Sequence, residues 1–225
     1  MADAQFMTQR EALAVDTNKV LKNTYMLLSM TLLWTAVTAG ISMALEVPRG
    51  VALICMLVSL GLIFAVNKFR NSTTGIYMVF AFTGLMGFAL GPTLLYYMNS
   101  AAGGMIVFQA AALTGMIFLS LSGYVMMTKK DFSFMAGFLM TGLWVVIGAF
   151  VFSLIAGLFG YYFSGLHLAL SSIIVVLMSG FILYDTSRII NGGETNYVMA
   201  TVSMYLNIYN LFTSLLHLLG AFGDD

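Results

Sequence analysis

Cysteine, histidine and charged residues are scarce in this chain of 225 residues. The single Cys55 cannot form a disulfide within the chain, and the two histidines, His167 and His217, are fewer than the three protein ligands of a typical catalytic metal site. Charged residues make up 8% of the sequence, whereas a soluble domain has about 25%. The composition therefore excludes a soluble globular domain, and the few, scattered basic residues exclude nucleic-acid binding.

The sequence also lacks the short motifs that mark common enzyme sites. It contains no set of nucleophile, base and acid, no phosphate-binding loop and no dinucleotide fingerprint. We therefore expect a protein that is not an enzyme and that holds neither a cofactor nor a metal.

Apolar runs dominate the chain, 60% of which is hydrophobic. A helix needs about 20 predominantly apolar residues to cross a bilayer, and the connections between such runs are brief. The sequence predicts an all-α polytopic membrane bundle of one domain, 23–225, preceded by a short cytosolic tail, 1–22. Its seven spans are predicted at 23–45, 51–67, 75–98, 104–127, 133–160, 166–190 and 197–222.

Basic residues predict the orientation of the bundle in the membrane. All but one of the nine Lys and Arg fall in the tail, in the second and fourth loops, or beside the sixth loop. Arg49 alone falls on the other side. Because Lys and Arg concentrate on the cytosolic side, the N-terminus is predicted to be cytosolic and the C-terminus, after seven spans, external.

The seventh predicted span is too polar to face lipid. Polar residues recur along it every three or four positions, which places them on one stripe of a helix. Unpaired amides in hydrocarbon cost several kcal/mol, so this helix must be surrounded by protein or line a wet cavity. We predict that it is central and enclosed by the other six. The stripe comprises Ser203, Asn207, Asn210, Ser214 and His217.

Asp185 is the one carboxylate inside a predicted span, and Arg188 lies three residues further along the same face. Two interpretations are open. The two residues form a buried ion pair that fixes the cytosolic end of the sixth helix, or Asp185 controls a polar path or takes up protons. Asp185 lies closer to the surface than Asn207, so the two can meet if the helices are staggered or if a water bridges them.

Gly91-Pro92 lies near the external end of the third span. Proline removes a backbone donor and clashes with the preceding turn. The pair is therefore predicted to break or kink this helix and is a candidate hinge.

Three runs of sequence are similar to those of a known family: GIYMVFAFTGLMGFALGP at Gly75–Pro92, AAALTGMIF at Ala110–Phe118, and YDTSRIINGGETNYVMATVSMYLNIYNLF at Tyr184–Phe212. They resemble the Bax inhibitor-1 (TMBIM) family, and the similarity extends over all seven spans. It is closest to the bacterial YccA branch. The resemblance implies a fold in which the seventh helix is enclosed by the other six, in agreement with the polar stripe.

Two functions follow from the resemblance as expectations. The YccA branch is associated with the membrane-anchored AAA protease FtsH, as a substrate that occupies and moderates it in membrane-protein quality control. Family members related to calcium leak channels instead carry two aspartates that share a proton and govern a pore. Asp185 matches the first aspartate, but Asn207 stands at the second. A neutral amide cannot share a carboxylate proton, although Asp185, Asn207 and Asn210 could still line a path for Ca²⁺ or another cation.

Overall fold

The computed structural model describes residues 2–100, 103–161 and 165–222, with side chains from Thr17 onward. Within these ranges the chain is helical and contains no strand. Each predicted span corresponds to one helix, with bounds within a few residues of those predicted, apart from the start of the first. The helices are α1 (Ala2–Ala44), α2 (Arg49–Phe69), α3 (Thr73–Met98), α4 (Gly103–Thr128), α5 (Ala136–Leu158, preceded by a 3₁₀ turn at Ser133–Met135), α6 (Leu166–Ile190) and α7 (Tyr197–Phe222).

The first helix is much longer than a membrane span. It runs without interruption for 43 residues from Ala2 to Ala44, so the predicted boundary between tail and span at residue 22 does not interrupt the backbone. Residues 2–22 contain neither Gly nor Pro and include several strong helix formers. The tail is therefore a helical extension of the first span.

Six of the described helices are long and apolar enough to cross a membrane, so the all-α membrane bundle is confirmed. The seventh, α7, has 26 residues but is not among the six. It carries no charged residue between Tyr197 and Phe222, and its polar stripe keeps its hydropathy low. In length it still matches a span, because 26 residues at about 1.5 Å each are more than the roughly 30 Å of a hydrocarbon core.

The side chains of α7 are more deeply buried than those of α2. Met204, Tyr205, Leu211 and Leu216 of α7 are completely inaccessible. By contrast, α2 buries Ala52, Ser59 and Val66, a narrow stripe with a period of seven residues, and exposes most of its other large side chains. These side chains of α7 are thus inaccessible, as a helix too polar for lipid requires, and its enclosure by the other six helices stays a prediction.

The described helices group into two compact units. The first contains α1–α3 and residues Arg188–Tyr205, and the second contains α4, α5, the part of α6 up to Ser187 and the part of α7 from Leu206. The single domain over 23–225 stays a prediction.

In the first unit, α1 and α3 approach closely through three glycines of α3. A methyl group on Gly84 would lie 2.6 Å from Nε1 of Trp34, and one on Gly87 would collide with Thr35 and Thr38. The Trp34 indole also donates a hydrogen bond of 3.1 Å to the Phe80 carbonyl oxygen. Small residues let helix backbones come together where no larger side chain fits.

The third helix does not break at Gly91-Pro92, where the sequence predicted a break or a kink, and the kink stays a prediction. It continues from Thr73 to Met98 with Pro92 inside it. A methyl group on Gly91 would collide with Ser42 of α1, so this glycine allows close packing. The role of the pair as a hinge stays a prediction.

Candidate functional site

The C-terminal end of α6 carries four consecutive polar residues, Asp185 to Arg188, that reach different neighbours. Successive residues of an α-helix point about 100° apart, so four in a row cover the whole circumference. Asp185, Thr186 and Ser187 are all buried. Because three of these four polar residues are buried and need hydrogen-bond partners, this segment is the candidate functional site.

Asp185 contacts the polar stripe of α7. The side-chain amide of Asn207 donates a hydrogen bond of 2.8 Å to Oδ2 of Asp185, and each of these residues is 6% exposed. Asn207 lies ten residues beyond the start of α7 and Asp185 five residues before the end of α6, depths of roughly 15 and 7 Å. The direct contact therefore requires staggered helices, the first of the two possibilities left open by the sequence.

The next two residues bind α4 and the loop that follows it. The hydroxyls of Thr186 and Ser122 lie 3.3 Å apart. The Ser187 hydroxyl accepts a hydrogen bond of 2.8 Å from the Phe132 backbone amide and donates one of 3.4 Å to Oδ1 of Asp131. Ser187 thus fastens the α4–α5 loop to α6.

Asp131 organises that loop. Its Oδ1 also accepts a hydrogen bond of 2.8 Å from the Ser133 backbone amide. Hydrogen bonds from the Ser133 side chain and backbone, followed by a smaller one from Ser187, hold the pKa of Asp131 below its ordinary value. Beside it, the ammonium of Lys130 donates a hydrogen bond of 2.9 Å to the Tyr124 hydroxyl, which raises the pKa of Lys130.

Arg188 binds the turn between α6 and α7. Its guanidinium donates to the Gly193 carbonyl oxygen at 3.2 Å and forms an ion pair of 3.4 Å with Glu194. Pairing of Arg188 with Asp185 stays a prediction. Unlike the buried Asp185, Arg188 is partly exposed, with 35% of its side chain accessible.

The α6–α7 turn contains a glycine that ends α6 and an asparagine that caps α7. Gly192 has a φ of +74°, a conformation that favours glycine, and the Gly193 amide donates a hydrogen bond of 2.7 Å to the Arg188 carbonyl oxygen. Asn196 caps α7, because its side-chain oxygen accepts hydrogen bonds from the amides of Val198 (3.1 Å) and Met199 (3.0 Å).

Asn196 makes a further contact that the sequence does not predict. Its side-chain amide donates hydrogen bonds to Oδ1 of Asn71 at 2.7 Å and to the Arg70 carbonyl oxygen at 3.2 Å. The α6–α7 turn is thereby joined to the α2–α3 turn. Isolated polar residues in two distant loops carry no periodic signal from which this contact could be inferred.

The other residues of the predicted stripe differ from one another in burial. Asn210 is half-buried and donates a hydrogen bond of 2.8 Å to the Leu206 carbonyl oxygen of its own helix. Ser214 is buried, Ser203 is half-buried, and His217 is exposed. Their roles in a polar path stay predictions.

A second buried polar contact, missed at the level of sequence, lies in the first unit. Tyr205 of α7 is completely buried, and its hydroxyl lies 2.9 Å from that of Thr35 and 3.4 Å from the Thr83 carbonyl oxygen. The Phe82 ring meets the Tyr205 ring edge-on at 5.5 Å. The only sequence signal is that tyrosine, unlike phenylalanine, needs a partner for its hydroxyl when buried.

Chemically, this arrangement offers a carboxylate bound by a neutral amide. Asn207, a neutral amide, cannot take part in a titration, and proton uptake at Asp185 stays a prediction. Among the described residues, no group of three or more His, Cys, Asp or Glu is placed to hold a metal ion.

Comparison with known proteins agrees with these features. Residues 17–224 match the family model described as inhibitor of apoptosis-promoting Bax1. An uncharacterized membrane protein of Vibrio cholerae is 50% identical over 94% of this chain and 93% of its own. The modulator of FtsH protease YccA of Escherichia coli is 44% identical over 94% of both chains. An uncharacterized protein of Pseudomonas aeruginosa is 43% identical over 93% of this chain and 92% of its own.

One conclusion follows from this similarity along almost the whole chain, together with the helical architecture and the buried Asp185 at the end of α6. The protein belongs to the Bax inhibitor-1 family.

Proposed function

We propose that this chain is an inner-membrane protein without enzymatic activity that binds the membrane AAA protease FtsH and modulates it as a poor substrate. The observation that carries the proposal is the 44% identity, over 94% of both chains, to an Escherichia coli protein named as a modulator of FtsH protease. The same identity to an Escherichia coli protein named as an inner-membrane protein supports the location.

The shape of α1 suits a protein that such a protease engages but degrades slowly. The helix begins at Ala2, so it extends well before the first span, which is predicted from residue 23. This extension offers an ATP-driven protease a segment to grip. The following part of α1 is packed against the glycines of α3, which favours resistance to extraction.

For the protease to reach the extension, the N-terminus must be cytosolic. The distribution of Lys and Arg supports that orientation. With α7 as a seventh span, the C-terminus is then external.

Deletion of Ala2–Val15 tests the proposal in cells that contain the protease. We expect the truncated chain to accumulate stably and to lose both its slow degradation and its competition with another membrane substrate. A chain in which the deleted segment is replaced by an unrelated, unstructured sequence of equal length controls for length. Degradation of the truncated chain at the rate of the intact one would contradict the role of this segment.

Binding is measured separately from degradation. We expect a proteolytically inactive form of the protease to co-purify with the intact chain from solubilised membranes. If it fails to co-purify with both the intact and the truncated chain, modulation through direct binding is wrong.

A second candidate function is a cation leak past Asp185, favoured by the buried carboxylate at its contact with Asn207. Calcium flux into proteoliposomes is to be compared for the native chain, Asp185→Asn and Asn207→Asp. A leak through this contact predicts that Asp185→Asn abolishes flux. It also predicts that Asn207→Asp makes flux depend on pH, because two adjacent carboxylates can share a proton. Absence of flux in all three chains at every pH would reject the leak.

A further inference from the structure

A cavity of about 360 Å³ lies between the beginning of the apolar part of α1 and the α6–α7 turn. Both walls belong to the first compact unit. The wall formed by α1 contributes Thr17, Lys19, Val20 and Asn23, and the wall formed by the turn contributes Gly192, Glu194, Thr195 and Tyr197.

The sequence places the cavity near the level where a membrane meets water. Lys19 lies four residues before the predicted start of the first span at residue 23, and Tyr197 is the first residue of α7. Lys19 and Thr195 at its rim are exposed. Molecules that reach such a position from the membrane are lipids, whose headgroups occupy this depth.

Charge within the cavity favours an anion. Lys19 and Glu194 are the charged members of the lining given above, but the Glu194 carboxylate is already engaged. Its Oε1 accepts a hydrogen bond of 2.9 Å from the Asn196 amide, and its Oε2 pairs with Arg188 at 3.4 Å. The charge of Glu194 is thus offset by Arg188, and Lys19 is the basic residue of the lining that can attract an anion.

An apolar track continues from the cavity along the same face of α1. At about 100° per residue, the positions 7, 11, 14, 18 and 22 residues beyond Lys19 all lie within about 40° of it. The side chains at these positions are large, apolar and between 47% and 71% exposed. They form a stripe along which an acyl chain can lie. The stripe consists of Met26, Met30, Leu33, Val37 and Ile41.

We propose that this cavity binds the headgroup of an anionic phospholipid whose acyl chains lie along the exposed stripe of α1. The phosphodiester accepts hydrogen bonds from Lys19 and from the neutral donors of the lining, Thr17, Asn23 and Thr195. Arg188 acts indirectly, since it keeps Glu194 from repelling the phosphate. The site is independent of the Asp185–Asn207 contact and of the proposed binding to a protease.

Native mass spectrometry of the intact chain in detergent, with equimolar phosphatidylglycerol and phosphatidylethanolamine, tests the proposal. We expect preferential retention of phosphatidylglycerol. Lys19→Gln should weaken that retention about fivefold, because a basic residue near an anionic surface contributes about 1 kcal/mol. Lys129→Gln, which removes an exposed lysine from the α4–α5 loop, is the matched control and should retain the lipid as the native chain does.

Two further measurements test whether retention depends on charge and on the acyl chains. Raising the ionic strength should weaken retention by the native chain more than by Lys19→Gln, because salt screens this attraction. Glycerol 3-phosphate, which carries the phosphate without acyl chains, should not displace the lipid at equal concentration. Equal retention of both lipids, equal loss in Lys19→Gln and Lys129→Gln, or displacement by glycerol 3-phosphate would each overturn the proposal. Matching thermal unfolding of the two variants excludes misfolding as the cause.

Discussion

The amide of Asn207 donates a hydrogen bond of 2.8 Å to the carboxylate of Asp185, and both side chains are almost completely buried. A buried carboxylate is costly unless donors surround it, so this amide is part of what allows an acid to remain at the end of α6. The contact also joins the two helices at a defined stagger. Its importance to the fold can be separated from any role in transport by measuring stability.

Replacing Asn207 with Leu removes this donor and leaves the carboxylate partly unsatisfied. We expect the free energy of unfolding to fall by about 1–3 kcal/mol, measured by denaturation in detergent micelles. Asn210→Leu is the matched control, because Asn210 donates to its own helix and is only half-buried. Equal losses of unfolding free energy in the two variants would show that the contact with Asp185 does not stabilise the fold more than the contact of Asn210 within its own helix.

Ser187→Ala should release the α4–α5 loop from α6. The variant loses the acceptor for the Phe132 amide and the donor to Asp131. We expect a loss of about 1 kcal/mol and hydrogen exchange at the Phe132 amide faster by about fivefold. Ser172→Ala, which alters an exposed serine bonded to its own helix, should leave that exchange rate unchanged. An unchanged exchange rate of the Phe132 amide in Ser187→Ala would show that Ser187 does not hold the α4–α5 loop on α6.

The same loop should respond to pH through Asp131. Because the native state lowers the pKa of Asp131, its contribution to stability is complete above the ordinary value of about 3.9. It is lost as the pH falls through the lowered native pKa. Limited proteolysis of the loop with an acid-active protease should therefore accelerate below about pH 4 in the native chain.

Asp131→Asn provides the comparison for this pH dependence. It should show rapid cleavage already at neutral pH and a weaker response to acid. A native profile that is flat down to strong acid, or one that is identical in the variant, would count against the prediction.

Gly87→Ala should disturb the contact between α1 and α3, since the added methyl group overlaps Thr35 and Thr38. Overpacking of this kind typically costs about 1–3 kcal/mol. Gly61→Ala of α2 is the control, because Gly61 is exposed and has open space where the methyl group would be. Alanine is favoured over glycine in helices by up to about 1 kcal/mol, so this control should be neutral or stabilising. Similar destabilisation by both changes would refute close packing at Gly87.

The helices themselves were largely predictable from the sequence. Apolar runs separated by short polar connections have few alternative structures in a membrane, so most predicted ends differ from the observed ones by a few residues. The tail continues α1 because nothing in residues 2–22 stops a helix, and α3 passes through Pro92 without the break that was one of the two predicted outcomes.

The site was less predictable, because spacing along one helix does not identify the residue that faces it from another. Asp185 and Asn207 were both singled out, yet their contact depended on the stagger of α6 and α7. Ser187 and Asn196 act on distant loops, and no periodicity in either sequence segment marks those contacts. The partner of Tyr205, Thr35, is 170 residues away in the chain, so no local pattern indicates their contact.

The continuity of α1 has a mechanical consequence. A force applied near Ala2 along the helix axis is transmitted through one continuous helix to the region that packs on α3. The contacts at Gly84, Gly87 and Gly91 then carry the load in shear and must yield nearly together. A flexible tail would instead allow the first span to be peeled away one contact at a time. An enzyme that pulls on this end must therefore break all three contacts at once, so the barrier to extraction is highest at the start.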